Sequence, residues 1–170
     1  MLLTVIIPTQ ASEKTKPYVE ACVASLRQTA PWCEIVVAKN GHHCLDLDVN
    51  AEVVYFRKQG QCNAVNEVAK DTGSKYILVT NDDMIYSPGW ANDLMESVKE
   101  HKFVSPTLVE PGGAAPPFYT YDCGSTVEEF DMNKWLDFVG EMFIGENEED
   151  GIENGFNLPF LTETEIFNSI

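Results

Sequence analysis

Tyr76-Ile77-Leu78-Val79-Thr80-Asn81-Asp82-Asp83 runs five apolar or β-branched residues straight into an amide and two carboxylates. A continuous apolar run of this length, with turn-forming polar residues after it, reads as a buried strand and not as a half-exposed one. Two adjacent acids at its end repel each other, which makes a purely structural role costly. The stretch therefore predicts a strand of a covered sheet whose carboxyl end carries chemistry.

The flanking sequence has the same grammar. Leu2 to Ile7 is apolar and β-branched up to Pro8, which is expected to stop the strand. From Pro17 to Gln28, Val19, Cys22, Val23 and Leu26 recur at helical spacing, and a proline suits a first turn. Glu34 to Ala38 is a second strand closed by Asn40-Gly41, and Val53 to Phe56 a third. A helix is expected from Gln61 to Lys70, with Ala64, Val65, Val68 and Ala69 on one face. Pro88 to Glu100 is helical, with Trp90 and Leu94 inward; Phe103-Val104 and Thr107 to Val109 are short strands. Strands alternating with helices at short spacing predict an α/β fold: a mostly parallel open sheet flanked by helices.

The pattern degrades after Glu110. Pro111 to Pro117 is a loop by composition, and Phe118 to Tyr121 a possible strand. Ten acids lie between Glu128 and Glu153, with Lys134 the one base among them, and they read as a solvated helix and flap. Within Leu158 to Ile170, Glu163 and Glu165 read as acids in the first turn of a helix, at the favourable end of the dipole.

Composition narrows the function. Acidic residues outnumber basic ones 27 to 11, a net charge of -16 over 170 residues. Binding to nucleic acid by counterion release needs clustered Lys and Arg, so no nucleic-acid partner is expected. The same charge repels phosphates at long range, so a diphosphate site needs a metal or local backbone donors. No apolar run reaches the ~18 residues of a membrane span. Five cysteines without a Cys-x-x-Cys spacing read as reduced thiols of a cytoplasmic protein.

In an open parallel sheet, ligands bind outside the carboxyl ends of the strands. Three such ends stand out: Pro8-Thr9-Gln10, Lys39-Asn40-Gly41 and Asn81-Asp82-Asp83. A divalent cation relieves the repulsion between Asp82 and Asp83. Hard oxygen ligands suit Mg²⁺ or Mn²⁺, which bind one or two carboxylates together with substrate phosphates. Phosphatases and nucleotidyltransferases also place paired aspartates after a strand, and a turn-capping role would use the same residues.

The order and spacing of five segments resemble the family 2 glycosyltransferases of Rossmann-like GT-A fold. They are Leu3 to Thr9, Tyr18 to Gln28, Glu34 to Gly41, Gly60 to Asn66, and Tyr76 to Met84. The resemblance covers nearly the whole chain and is strongest from Leu2 to Glu110. It implies one GT-A-like domain over residues 1–170, with a nucleotide-sugar-binding half (1–110) and an incomplete acceptor-side half (111–170). It further implies that Pro8, Thr9 and Gln10 pack along the nucleoside, and that Asn66 lies near the donor. Asn40 stands where the family has a base-reading Asp, Asn81 where an acid meets the ribose, and Asp83 at the metal-binding acid, with Asp82 beside it.

The implied reaction is metal-assisted transfer of a sugar, with inversion, from a nucleotide diphosphate sugar to a hydroxyl of a glycan, lipid or protein acceptor. Lys39-Asn40 replaces the family's acids, and Lys39 is expected to face solvent. The family's general base follows a turn lying beyond Ile170, so slow turnover is expected unless Glu163 or Glu165 substitutes. Two rival readings follow. One is a non-catalytic nucleotide- or sugar-binding module of the same fold. The other is a nucleotidyltransferase, although the Thr9 to Lys16 loop lacks that class's glycines.

Overall fold

The computed structural model describes residues 1–42, 44–57, 60–112, 119–142 and 158–170. The expected loop core (113–117), Phe118 and five of the ten acids (Glu146, Glu148, Glu149, Asp150 and Glu153) lie outside them. The chain forms two compact units, Met1–Pro106 with Leu158–Ile170, and Thr107–Asn157.

The first unit is a six-stranded sheet with helices on both faces. Its strands are β1 (Leu3–Thr9), β2 (Glu34–Asn40), β3 (Glu52–Phe56), β4 (Tyr76–Val79), β5 (Phe103–Val104) and, from the end of the chain, β8 (Phe160–Glu163). The order is β3-β2-β1-β4-β8-β5. The first four strands run parallel; β8 is antiparallel to both β4 and β5. Alternation along β1 divides the core. Leu3, Val5 and Ile7 pack with α1 (Lys16–Thr29) and α3 (Trp90–Ser97), while Ile6 packs with Ala64, Val65, Val68 and Ala69 of α2 (Gln61–Asp71). A short helix, α5 (Thr164–Asn168), adds Phe167 to that second face. Each fully buried Leu or Ile contributes about 1.5–3 kcal/mol, which is why these strands read as unbroken apolar runs.

Three elements differ from the sequence expectation. β1 does not stop at Pro8: Pro8 and Thr9 stay paired with Ala38 and Lys39 of β2. The carbonyls of Leu2 and Ile6 accept from Tyr76 and Thr80, so by alternation Pro8 faces the β4 side. β4's last paired residue, Val79, lies opposite Ile6, so the missing N–H costs no ladder bond. Glu163 does not open a helix; it ends β8, and Glu165 alone sits in the first turn of α5. Lys39 is buried, not solvent-facing.

The second unit contains a two-stranded parallel sheet, β6 (Val109–Glu110) with β7 (Tyr119–Thr120), and α4 (Met132–Met142). One of the expected surface acids has a definite task here. The Asp131 carboxylate accepts from the N–H groups of Asn133 (3.0 Å) and Lys134 (3.1 Å), capping α4. Tyr121 stacks on Phe138 with ring centroids 4.2 Å apart.

Candidate active site at the carboxyl ends of the strands

β1, β2 and β4 end side by side, and their last side chains meet. Thr9 is the hub. Its hydroxyl donates to Asp82 Oδ2 at 2.5 Å and accepts from the Ala11 N–H at 3.0 Å, while its carbonyl accepts from Asn40 Nδ2 at 3.2 Å. Thr9 and Asn40 are buried, Asn81 and Asp82 are half-buried, and Asp83 is exposed. The turn after β1 is sharp: Ala11 adopts φ 45°, a left-handed conformation that is uncommon without glycine. Its carbonyl accepts from the Leu45 N–H at 2.8 Å, tying the loop after β2 to the loop after β1.

Lys39 explains its burial by what it holds. Its ammonium donates to the Leu45 carbonyl at 2.9 Å and lies 3.9 Å from the exposed Asp46 carboxylate. Tyr55 of β3 donates to the Gly41 carbonyl at 2.5 Å. Gly41 and Leu45 are thus each fastened by a side chain from the sheet.

The two carboxylates differ. Burial pushes the Asp82 carboxyl above its ordinary range; the Thr9 hydroxyl pulls it back, and neighbouring Asp83 pushes it up again. Among the described residues Asp83 has no hydrogen-bond or ion-pair partner, and no group of three or more His, Cys, Asp or Glu side chains gathers around a point. A hard divalent cation that keeps water and takes phosphate oxygens needs only one or two carboxylates from the protein. Asp82 and Asp83 fit that requirement in number and chemistry, and do not form a closed protein cage.

A polar relay lies beneath the same turn. The Tyr86 hydroxyl donates to Thr80 Oγ1 at 2.7 Å, and Thr80 Oγ1 donates to the Asn81 carbonyl at 3.2 Å. Cys22 Sγ of α1 reaches that carbonyl at 3.8 Å. Burial pushes the Cys22 thiol up to about 12, so it stays protonated and able to donate.

The structure brings Pro8, Thr9, Asn40, Asn81, Asp82 and Asp83 to one edge. Gln10 follows them and is exposed. Asn66 lies on the exposed face of α2, away from the apolar face that covers the sheet. Glu163 and Glu165 are not brought there. Glu163 pairs with Tyr76, at the opposite end of β4 from Asp82, and lies 3.6 Å from Lys75 Nζ. At about 3.3 Å per residue, the three residues from Tyr76 to Val79 already put it roughly 10 Å below the strand end. Neither acid is placed to act beside Asp82. Tyr86, Thr80, Cys22 and the latch by Lys39 were missed by the sequence reading; a buried lysine at a strand end carries no local signature, and Tyr86 looks like ordinary core.

Comparison with known proteins gives the class. Residues 4–147 match the sequence profile of Glycosyl transferase family 2, and the chain belongs to that family. No curated protein matches the sequence. Among solved structures, the chain resembles S. aureus TarS 1–349 at 18% identity and TM-score 0.51, covering 68% of this chain and 38% of that one. It resembles the bifunctional IspDF of Campylobacter jejuni at 10% identity and TM-score 0.53, covering 99% and 42%. It also resembles 4-diphosphocytidyl-2C-methyl-D-erythritol synthase of Anaerococcus prevotii at 10% identity and TM-score 0.53, covering 99% and 72%. At such identities the shared property is the fold. The chain spans well under half the length of the TarS structure. Among the described residues no helix is long and apolar enough to cross a membrane.

Proposed function

We propose that the crevice at the carboxyl ends of β1, β2 and β4 binds a nucleotide diphosphate sugar, and that the protein transfers the sugar to an acceptor hydroxyl with inversion. The observation that carries this reading is the placement of the exposed Asp83 beside a Thr9-clamped Asp82, inside the stretch that matches the family. In this reading Asn40 and the Pro8-Thr9-Gln10 backbone line the nucleoside, with Asn40 Nδ2 held by the Thr9 carbonyl. Asn81 stands nearest the ribose, and Asn66 is the outermost contact.

Asp83 and Asp82 would hold Mg²⁺ or Mn²⁺ against the diphosphate. A cation bound there supplies charge stabilisation to the leaving nucleoside diphosphate. The residues of the chain do the rest: Thr9 fixes the Asp82 rotamer, the relay under Asn81 fixes the turn, and Asp83 is left free to ligate. The acceptor is a glycan, lipid or protein hydroxyl, which needs a base to remove its proton. The five unpaired thiols suit a reducing cytoplasm.

The fold likeness to the 4-diphosphocytidyl-2C-methyl-D-erythritol synthase keeps a nucleotidyltransferase reading in view, but the family match favours glycosyl transfer. The experiment is titration calorimetry of UDP, GDP and their sugars with and without Mn²⁺, followed by turnover with candidate acceptors. Metal-dependent binding is expected; affinity for nucleoside triphosphates alone, with pyrophosphate released, would move the assignment to the rival class.

A further inference from the structure

The turn that presents the two carboxylates is held from two sides. From above, the Thr9 hydroxyl clamps Asp82. From below, the carbonyl of Asn81 receives Thr80 Oγ1 and Cys22 Sγ. That carbonyl belongs to the peptide unit leading into Asp82. The unit is planar, so fixing its oxygen fixes the plane and the direction in which the Asp82 Cα departs.

Thr80 has one hydroxyl proton and two neighbours that accept it, the Asn81 carbonyl and the Tyr86 oxygen. While Tyr86 donates, the Thr80 proton is left for the Asn81 carbonyl, and the bond from Tyr86 anchors the Thr80 rotamer that reaches it. Tyr86 is suited to impose that direction. Its ring is buried against Trp90, with centroids 4.7 Å apart, and Trp90 Nε1 is tied to Thr29 of α1 at 3.0 Å. Its own backbone N–H donates to Ser25 Oγ at 3.2 Å, and Ser25 Oγ donates to the Cys22 carbonyl at 2.8 Å. Burial raises the Tyr86 phenol well above its ordinary value, so it remains a donor throughout the working pH range.

We propose that Tyr86 is a positioning residue for the Asp82–Asp83 turn, acting through the Thr80 hydroxyl on the Asn81 carbonyl. Its consequence for ligand binding rests on the donor-site reading above; its consequence for the turn does not. A tyrosine kept only for packing would be replaced by phenylalanine without effect on the turn.

The test uses Tyr86→Phe, which keeps the ring on Trp90, together with Thr80→Val and Thr80→Ser. The first readout is amide hydrogen exchange by NMR in the metal-free protein. Exchange of the residue-80 amide, which donates to the Ile6 carbonyl where the strand enters the turn, is expected to rise about three- to tenfold in Tyr86→Phe and Thr80→Val, the loss of one ordinary hydrogen bond, with α2 amides unchanged and Thr80→Ser near wild type. The second readout is the Mn²⁺ concentration giving half-maximal UDP binding, which should rise by a similar factor while metal-free uridine binding stays constant. Unchanged exchange at residue 80 in Tyr86→Phe overturns the proposal, whatever the binding result. Should wild type show no Mn²⁺-dependent UDP binding, the donor-site reading falls and the exchange result alone decides the relay.

Discussion

Replacing Thr9 by valine keeps the shape of a buried side chain and removes one oxygen that serves two partners. The Ala11 N–H loses its acceptor. It lies in a fully buried residue, and leaving such a donor unpaired costs about 1–3 kcal/mol. The Asp82 carboxylate loses its donor as well. A hydrogen bond to a charged group is worth about 1.5–3 kcal/mol, and the low end applies because Asp82 is only half-buried and partly screened by solvent.

The two losses separate with pH. Asp82 has a raised pKa in the fold, so the stability linked to it is present below the unfolded carboxylate value and is lost as pH rises through the folded one. The Thr9 hydroxyl lowers that folded value; without it the value climbs further, and more stability is lost at higher pH. The variant should be less stable than wild type by about 2 kcal/mol near pH 3, below the unfolded carboxylate value, and by about 3.5 kcal/mol near pH 8. Urea denaturation followed by tryptophan fluorescence, with chelator present, measures both. A deficit that is equal at the two pH values, or below about 0.5 kcal/mol at both, refutes the clamp.

Asp83→Asn should abolish Mn²⁺-dependent UDP binding in calorimetry while changing stability by less than about 0.5 kcal/mol, since the side chain is exposed; undiminished affinity removes the metal role. Asn40→Leu loses the bond to the Thr9 carbonyl and should weaken nucleotide binding by about 1–3 kcal/mol, read by the same titration; wild-type affinity would mean the crevice is misplaced. Gly124→Ala puts a Cβ 2.3 Å from the Glu129 carbonyl oxygen at φ 107°, and should destabilise the second unit by about 3 kcal/mol or more; amide exchange within 107–157 that stays at the wild-type rate contradicts this.

The parallel half of the fold was legible because burial on both faces leaves a strong mark: Leu3 to Ile7 and Tyr76 to Val79 have almost no polar residue to interrupt them. The candidate site was legible as a meeting of strand ends, since Thr9, Asn40 and Asp82 follow or close such runs. β8 was not. Its four residues, Phe-Leu-Thr-Glu, pair with β4 some eighty positions away, and nothing local distinguishes them from the start of a helix. Reading Glu163 as a first-turn acid followed from that, and so did its candidacy as a base. Lys39 misled for a related reason. An ammonium is expected in water unless a carbonyl waits for it, and Leu45 supplies one that only the folded loop brings near.

The pairing of β5 with β8 has a consequence for how the chain can change over time. The chain leaves the first unit after Pro106 and re-enters at Leu158, and Val104 lies directly opposite Leu161. The two ends of everything in between are therefore already stapled together. Through the connection between those two ends, a change in the length of residues 107–157 acts on the sheet by the entropy of closing a loop, and doubling that length costs about 0.6 kcal/mol. The closure that holds β5 on β8 thus tolerates a change in the length of that stretch at a small entropic cost.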